Sequence, residues 1–215
     1  MDKSFWTKRW TEGRIGFHQN QVHSDLLSHG REQLGSKRQR VLVPLCGKTK
    51  DLLWFAEQGH AVVGVDLSEV ALAQWHTENK RKANGEIISN ATRYQSENVE
   101  MWCGDVLELG PETLGQFDLV WDRAAMVALN PERRILYAQR LQALLKPGGR
   151  LLINAFEYDQ TLMKGPPHSV RPSELRLLFS DWNYKLLKQG KWLTEGKFCD
   201  RGVDQFRDYL AVLTA

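Results

Sequence analysis

The sequence of 215 residues predicts an α/β fold: a seven-stranded sheet, mostly parallel, with an antiparallel C-terminal edge strand and helices on both faces. Three observations predict it. Short apolar runs without polar alternation recur along the chain, as in parallel strands covered on both faces. Segments with helical signals separate most of them, which argues for crossover helices. The last two runs have only residues 190–205 between them, without a helical pattern, so they pair antiparallel. With 42% hydrophobic residues, the chain can bury a full core as one domain, residues 1–215.

Residues 1–35 are rich in Trp, His and Gly and read as irregular structure with a short helix over 25–33. Val41-Leu42-Val43-Pro44-Leu45 is the first strand. A helix over 51–58 follows, stopped near Gly59. Ala61-Val62-Val63-Gly64-Val65 is the second strand, closing at Asp66. Ser68 is placed to cap the next helix, because its hydroxyl can accept from a free first-turn amide. That helix directs Val70, Leu72 and Trp75 to the core and runs to residue 82. Residues 85–98 are polar and read as loop. The third strand covers 99–103, before Gly104-Asp105. The fourth covers 117–121, before Asp122-Arg123. Asn130-Pro131 opens a helix to residue 146, since Asn caps and Pro tolerates the first helical position. Pro147-Gly148-Gly149 makes a turn, 150–155 is the fifth strand and 173–179 a short helix. Strands over 184–188 and 206–213 finish the chain.

Charge and cysteine content exclude several classes. Lys and Arg number 29 against 26 Asp and Glu. That balance is too even for a nucleic-acid binder, which concentrates positive charge. The cluster Lys37, Arg38 and Arg40 reads as a solvated linker. Cys46, Cys103 and Cys199 lack the number and spacing of a disulfide framework or zinc site, and free thiols suit a reducing cytosol. Residues 1–10 are charged and aromatic, unlike a signal peptide, and no apolar run is long enough to span a bilayer. The expectation is a cytoplasmic monomer with a small-molecule partner and neither nucleic acid nor membrane.

Ligands of open parallel sheets bind beyond the carboxyl ends of the strands. Leu45-Cys46-Gly47-Lys48, Asp66, Gly104-Asp105-Val106 and Asp122-Arg123 all fall there. Asp66 stands about 20 residues beyond the first turn, where an acid can accept from both hydroxyls of a ribose. It also reads as a cap for the helix behind Ser68, and the two roles are compatible. A dinucleotide would need G-x-G-x-x-G at the first turn, so that amides approach its pyrophosphate. Here Gly47 stands alone and the next glycine is Gly59. S-adenosylmethionine has a ribose and an adenine but no phosphate, and it fits this combination. Asp105 would lie at the adenine edge. Arg123 reads either as a site residue near the transferred methyl or as a surface pair with Asp122 or Glu132.

The chain resembles the thiopurine S-methyltransferase family, within the class I (Rossmann-like) S-adenosylmethionine-dependent methyltransferases. The resemblance rests on Trp6-x-x-x-Trp10, Gly13 and Phe17-His18, then Pro44-Leu45-Cys46-Gly47-Lys48 with Asp51, Trp54-Phe55 and Gly59-His60. It continues through Val63-Gly64-Val65-Asp66-Leu67-Ser68-Glu69, Phe117-Asp118, Trp121-Asp122-Arg123-x-Ala125, Asn130-Pro131 and Gly165-Pro166-Pro167, and so spans nearly the whole chain. The helix end leading into Lys146-Pro147-Gly148-Gly149 is common in that class.

The resemblance implies methyl transfer from S-adenosylmethionine to the sulfur of aromatic or heterocyclic thiols such as thiopurines. Bacterial relatives also carry an association with selenium and tellurium species. It implies that Trp10 covers the cofactor, Leu45 touches it, Asp66 holds the ribose, Asp105 and Val106 line the adenine, and Arg123 reaches the cofactor. Phe17 would lie at the substrate, and residues 1–35 would form an active-site cover. Eukaryotic members often carry Glu where this chain has Asp66, which keeps the carboxylate. Residues 195–204 match the family poorly.

Methyl transfer of this kind is an in-line displacement, and a thiopurine sulfur needs no strong base. Placement and exclusion of water then carry catalysis, consistent with no evident acid–base pair and no catalytic side chain assigned. Rival readings are a nicotinamide oxidoreductase, disfavoured by the missing glycines, and a nucleic-acid methyltransferase. The latter usually has an Asn- or Asp-Pro-Pro-aromatic segment where this chain reads Asp122-Arg123-Ala124-Ala125. Another small-molecule methyltransferase and a non-catalytic adenosine-binding protein are the remaining alternatives.

Overall fold

The structure, a computed structural model, describes residues 3–215; Met1 and Asp2 lie outside the described residues. In chain order its elements are α1 (Lys3–Thr11), α2 (Ser24–Gln33), β1 (Arg40–Pro44), α3 (Asp51–Glu57), β2 (Ala61–Asp66) and α4 (Glu69–Glu78). Next come β3 (Gly85–Ile88), β4 (Ala91–Ser96), β5 (Val99–Cys103), α5 (Pro111–Leu114), β6 (Phe117–Arg123) and α6 (Pro131–Leu144). The chain ends with β7 (Leu145–Tyr158), α7 (Pro172–Leu178), β8 (Asn183–Gln189) and β9 (Phe206–Thr214).

One sheet holds the strands in the order β3-β4-β5-β2-β1-β6-β7-β9-β8. The central run β5-β2-β1-β6-β7 is parallel. β8 and β9 pair antiparallel, as expected for a connection lacking a crossover helix, and β9 also pairs antiparallel with β7.

The sheet has nine strands, not seven. Residues 85–98, expected as loop, instead form β3 and β4, paired antiparallel with each other and with β5. The reason is their place at an edge. β3 is almost wholly exposed, so its chain satisfies backbone groups in the ladder without an apolar stripe. Two-residue turns at Ser89-Asn90 and Glu97-Asn98 close the hairpins, with Ser89 and Glu97 at positive φ. Neither carries the Asn-Gly or Asp-Gly signal that announces such a turn.

A second difference is α1, where irregular structure was expected. Trp6 and Trp10, at i and i+4, share one face, but Phe5 lies off it and only Trp10 is buried, so no broad apolar stripe marks the helix. Helix α4 buries Leu72 and Trp75 as expected, while Val70 is half-buried.

Apolar clusters cover both sheet faces. Leu42, Val120 and Ile153 pack with Tyr137 and Leu141 of α6 on one side. Val41, Val43, Leu119 and Trp121 pack with Leu52, Phe55 and Trp75 of α3 and α4 on the other. Burial on both faces is the physical reason β1, β2 and β6 lack alternation; each such side chain contributes roughly 1.5–3 kcal/mol.

Candidate active site

The carboxyl ends of β1, β2, β6 and β7 open into a cavity of about 600 Å³, within the range of small-molecule sites. After β1 the chain turns through Leu45 (φ 49°) and Gly47 (φ 51°). Leu45 tolerates the left-handed conformation because the Cys46 amide is tied to Val65 O at 3.0 Å. Gly47 is required by contact as well as by φ. A Cβ there would lie 2.6 Å from Cζ2 of Trp10, so the indole rests directly on the turn.

Asp66, at the end of β2, joins that turn to α4. Its Oδ2 accepts from the Gly47 amide at 2.7 Å and its Oδ1 from the Ser68 amide at 2.8 Å. The Ser68 hydroxyl caps α4 by accepting from Ala71 N at 3.2 Å. Burial pushes the Asp66 carboxyl up from 3.8 to about 6, against the opposing pull of the Ser68, Gly47 and Leu67 amides. Among the described residues no cation pairs with it. A buried, cation-free acid with lone pairs to spare suits neutral donors such as hydroxyls.

Beyond β6, Asp122 and Arg123 part company. Asp122 turns inward: Oδ1 accepts from Ala125 N (3.0 Å) and Met126 N (3.1 Å), and Oδ2 from the Tyr137 hydroxyl (2.9 Å). Burial raises its carboxyl to about 6 as well. Its role is to hold the bend at Ala124 (φ 62°) that aims Arg123 into the cavity. Arg123 makes neither of the pairs left open by the sequence, with Asp122 or Glu132; its Nη2 donates to Phe17 O at 3.3 Å. Burial lowers its pKa, and the Asp51 charge opposes this.

The N-terminal segment supplies the opposite wall. Phe17 meets Trp6 and Trp10 edge-on at 5.6 and 5.7 Å between ring centroids. His23 N donates to Asp51 Oδ1 at 2.9 Å, while Trp121 Nε1 donates to Asp51 Oδ2 at 2.8 Å. One buried carboxylate thus fastens the segment to the sheet. His18 and His23 border the cavity, and burial is the main cause lowering both pKa values.

Of the residues singled out from sequence, Trp10, Phe17, Leu45, Asp66 and Arg123 border one cavity. Asp105 and Val106 do not. Val106 is buried in the core, and Asp105 turns its Oδ1 to the Leu107 amide at 3.0 Å. They stand next door, since Gly104 N donates to Asp66 O at 2.9 Å.

Sequence reasoning missed a polar group on β7 and the C-terminal wall. Asn154 Nδ2 donates to Asp25 Oδ2 at 2.8 Å, and Lys188 Nζ bridges Asp25 (2.7 Å) and Asp208 (3.0 Å). Burial lowers the Lys188 pKa, but the two carboxylates outweigh it and the net direction is upward. The one available signal was an asparagine interrupting the apolar run 151–156. Lys197, Phe198 and Arg201 close the cavity from a segment with no readable pattern. Among the described residues no cluster of His, Cys, Asp and Glu could hold a metal.

Comparison with known proteins adds to this geometry. A sequence model of the family described as thiopurine S-methyltransferase matches residues 1–215. The thiopurine S-methyltransferase of Pseudomonas fluorescens (strain SBW25) is 40% identical over 205 residues, covering 94% of each chain. That of Bordetella petrii is 38% identical over 207 residues, covering 95% of this chain and 94% of its own. Among solved structures, the fold is similar to the Burkholderia thailandensis 1,6-didemethyltoxoflavin-N1-methyltransferase with bound 1,6-didemethyltoxoflavin and S-adenosylhomocysteine. The TM-score is 0.64 at 21% identity, covering 99% of this chain and 87% of that one.

Proposed function

This chain belongs to the thiopurine S-methyltransferase family, and from that premise we propose how its cavity works. It is an S-adenosylmethionine-dependent enzyme that methylates the sulfur of aromatic and heterocyclic thiols such as thiopurines. The observation that carries the site reading is Asp66: a buried, cation-free carboxylate tied to a turn with a single glycine, at the mouth of a parallel sheet.

Asp66 would hold the ribose hydroxyls, with Leu45 touching the cofactor and the Trp10 indole covering it. Asp105 and Val106 would flank the adenine from the neighbouring strand end. Bound S-adenosylmethionine supplies a methyl carbon activated by a sulfonium, whose sulfur keeps the electron pair when the carbon leaves. The protein contributes placement and dryness, which suffice for a nucleophile as soft as sulfur. Arg123 would address a carboxylate or an electron-rich ring with its planar fork, and Phe17 would face the substrate ring. Residues 1–35 act as a cover over one domain spanning 1–215. Support comes from the Trp10 contact with Gly47 and the Arg123 hydrogen bond to Phe17 O. Selenium and tellurium nucleophiles, softer still, meet the same demands.

We further propose a cytoplasmic monomer acting on small molecules alone. Free cysteines at 46, 103 and 199 support a reducing compartment. No helix among the described residues is long and apolar enough to cross a membrane.

The test is transfer of a labelled methyl group from S-adenosylmethionine to a panel of small thiols and selenols. We expect turnover on aromatic and heterocyclic thiols. Transfer only to nitrogen or oxygen acceptors would reject the reading.

A further inference from the structure

Asn154 is 3% exposed in the middle of β7, between Ile153 and Ala155. A carboxamide buried in a central strand is unfavourable unless its polar atoms are used. Its nitrogen is used twice, donating to Asp25 Oδ2 at 2.8 Å and to Tyr209 O at 3.4 Å. Both partners only accept: one is a carboxylate paired with Lys188, the other a main-chain carbonyl. The nitrogen must therefore face them and Oδ1 must face away, so the chemistry of the partners decides the orientation of the amide. Among the described residues no donor reaches Oδ1, and Asn154 borders the cavity.

Arg123 is its register partner on the adjacent parallel strand and borders the same cavity. Neighbouring strands lie about 4.8 Å apart, so the two groups form one edge. The guanidinium can only donate, and the amide oxygen can only accept. That pairing matches the alternating N and N–H positions of a nitrogen heterocycle. It does not match a plain aryl ring.

We propose that Asn154 is a specificity-determining residue whose Oδ1 accepts a ring N–H of a heterocyclic thiol, with Asp25 as the residue that positions it. The proposal rests on the reading of the chain as an S-methyltransferase of thiols and names which thiols it prefers. A thiol without a ring N–H displaces water from Oδ1 and returns no hydrogen bond, and sites built to pair a polar group discriminate strongly against ligands that lack it. Lys188 keeps Asp25 in place from β8, which links helix α2 to the far edge of the sheet.

The experiment compares kcat/KM for 6-mercaptopurine, which carries ring N–H groups, with that for thiophenol, which has none. In Asn154→Leu we expect the ratio of the two to fall by about tenfold or more. A ratio within about twofold of wild type would overturn the proposal. Asp25→Asn, which frees the amide to turn over, should move the ratio in the same direction through KM for 6-mercaptopurine. It also serves if Asn154→Leu does not fold, and an unchanged ratio in it would equally overturn the assignment. Calorimetric binding of both thiols to the protein loaded with S-adenosylhomocysteine reads the same preference without turnover. Binding of 6-mercaptopurine that depends on Asn154, in a protein that transfers no methyl, would reject the activity and uphold this proposal.

Discussion

Asp66 is buried, accepts from two amides and meets no cation among the described residues, and burial raises its carboxyl to about 6. The folded-state value lies above the ordinary 3.8, so stability from the protonated form is complete below 3.8 and is lost as pH rises through about 6. Ligand hydroxyls that donate to the ionised form oppose this loss. S-adenosylhomocysteine should therefore bind more tightly as pH rises from about 5 to about 7.5, with a midpoint near pH 6. Calorimetry in wild type and Asp66→Asn measures it: the dependence should vanish in the variant, and a flat wild-type profile would take Asp66 out of the ribose site. Asp66→Ala should weaken binding by roughly 1.5–3 kcal/mol with the fold retained. Arg123 offers the second single-residue test. A surface pair would contribute about 0–1 kcal/mol, and the cavity position argues for more. We expect Arg123→Lys to lower kcat/KM on a small aromatic thiol roughly tenfold, and Arg123→Ala to lower it further, both with unchanged unfolding temperatures. Wild-type kinetics in both would remove Arg123 from the site. Asp66 and Arg123 were legible in the sequence because each closes an apolar strand. Asn154 was not, because its partner Asp25 lies 129 residues away.

At the scale of elements, the N-terminal segment has two attachments with different roles. His23 and α2 are fastened to the sheet through Asp51 and the Asp25–Asn154 hydrogen bond. Residues before them touch the cavity mainly through Trp6, Trp10 and Phe17. Deleting residues 1–20 leaves the first attachment whole and removes the aromatic wall. The truncated protein should keep its circular dichroism and cooperative unfolding while kcat/KM falls roughly 100-fold or more, because water is no longer excluded. Full activity in the truncated protein would refute the role of cover. The same elements mark where pattern reading stopped. Strands β1, β2, β5, β6 and β7 announce themselves because both faces are buried. Strand β3 is an exposed edge strand and β4 the mostly polar strand beside it, and α1 is a helix whose Trp6 and Trp10 pack into a site instead of the main core. Such elements exist because of what they pack against, and local spacing carries little of that.

For the whole molecule, the cavity joins the first turn, the ends of four strands and the segment before β9, so an occupant ties distant parts of the chain together. A ligand that binds only the folded state raises stability by mass action, by about 2.7 kcal/mol at 100 times its Kd. For a chain of this length S-adenosylhomocysteine should then raise the unfolding temperature by about 5–10 °C near neutral pH, and by less near pH 5, where Asp66 takes up its proton. A melting curve that ignores the ligand at saturating concentration would contradict the assignment of the cavity. The sequence by itself determined the parallel core and its antiparallel end, the capping of α4 by Ser68 and of α6 by Asn130, and the acid after β2. Those features come from burial periodicity and from contacts a few residues apart, which neighbouring residues encode directly. Only the tertiary structure decided the two extra strands, the inward turn of Asp122 onto Tyr137, the seating of Trp10 on Gly47 and the fixed amide of Asn154. The two strands belong to local hairpins whose turns lack an Asn-Gly or Asp-Gly signal. Each of the other three depends on a partner brought close by the fold, and a partner 15 to 129 residues away leaves no periodic trace in the chain.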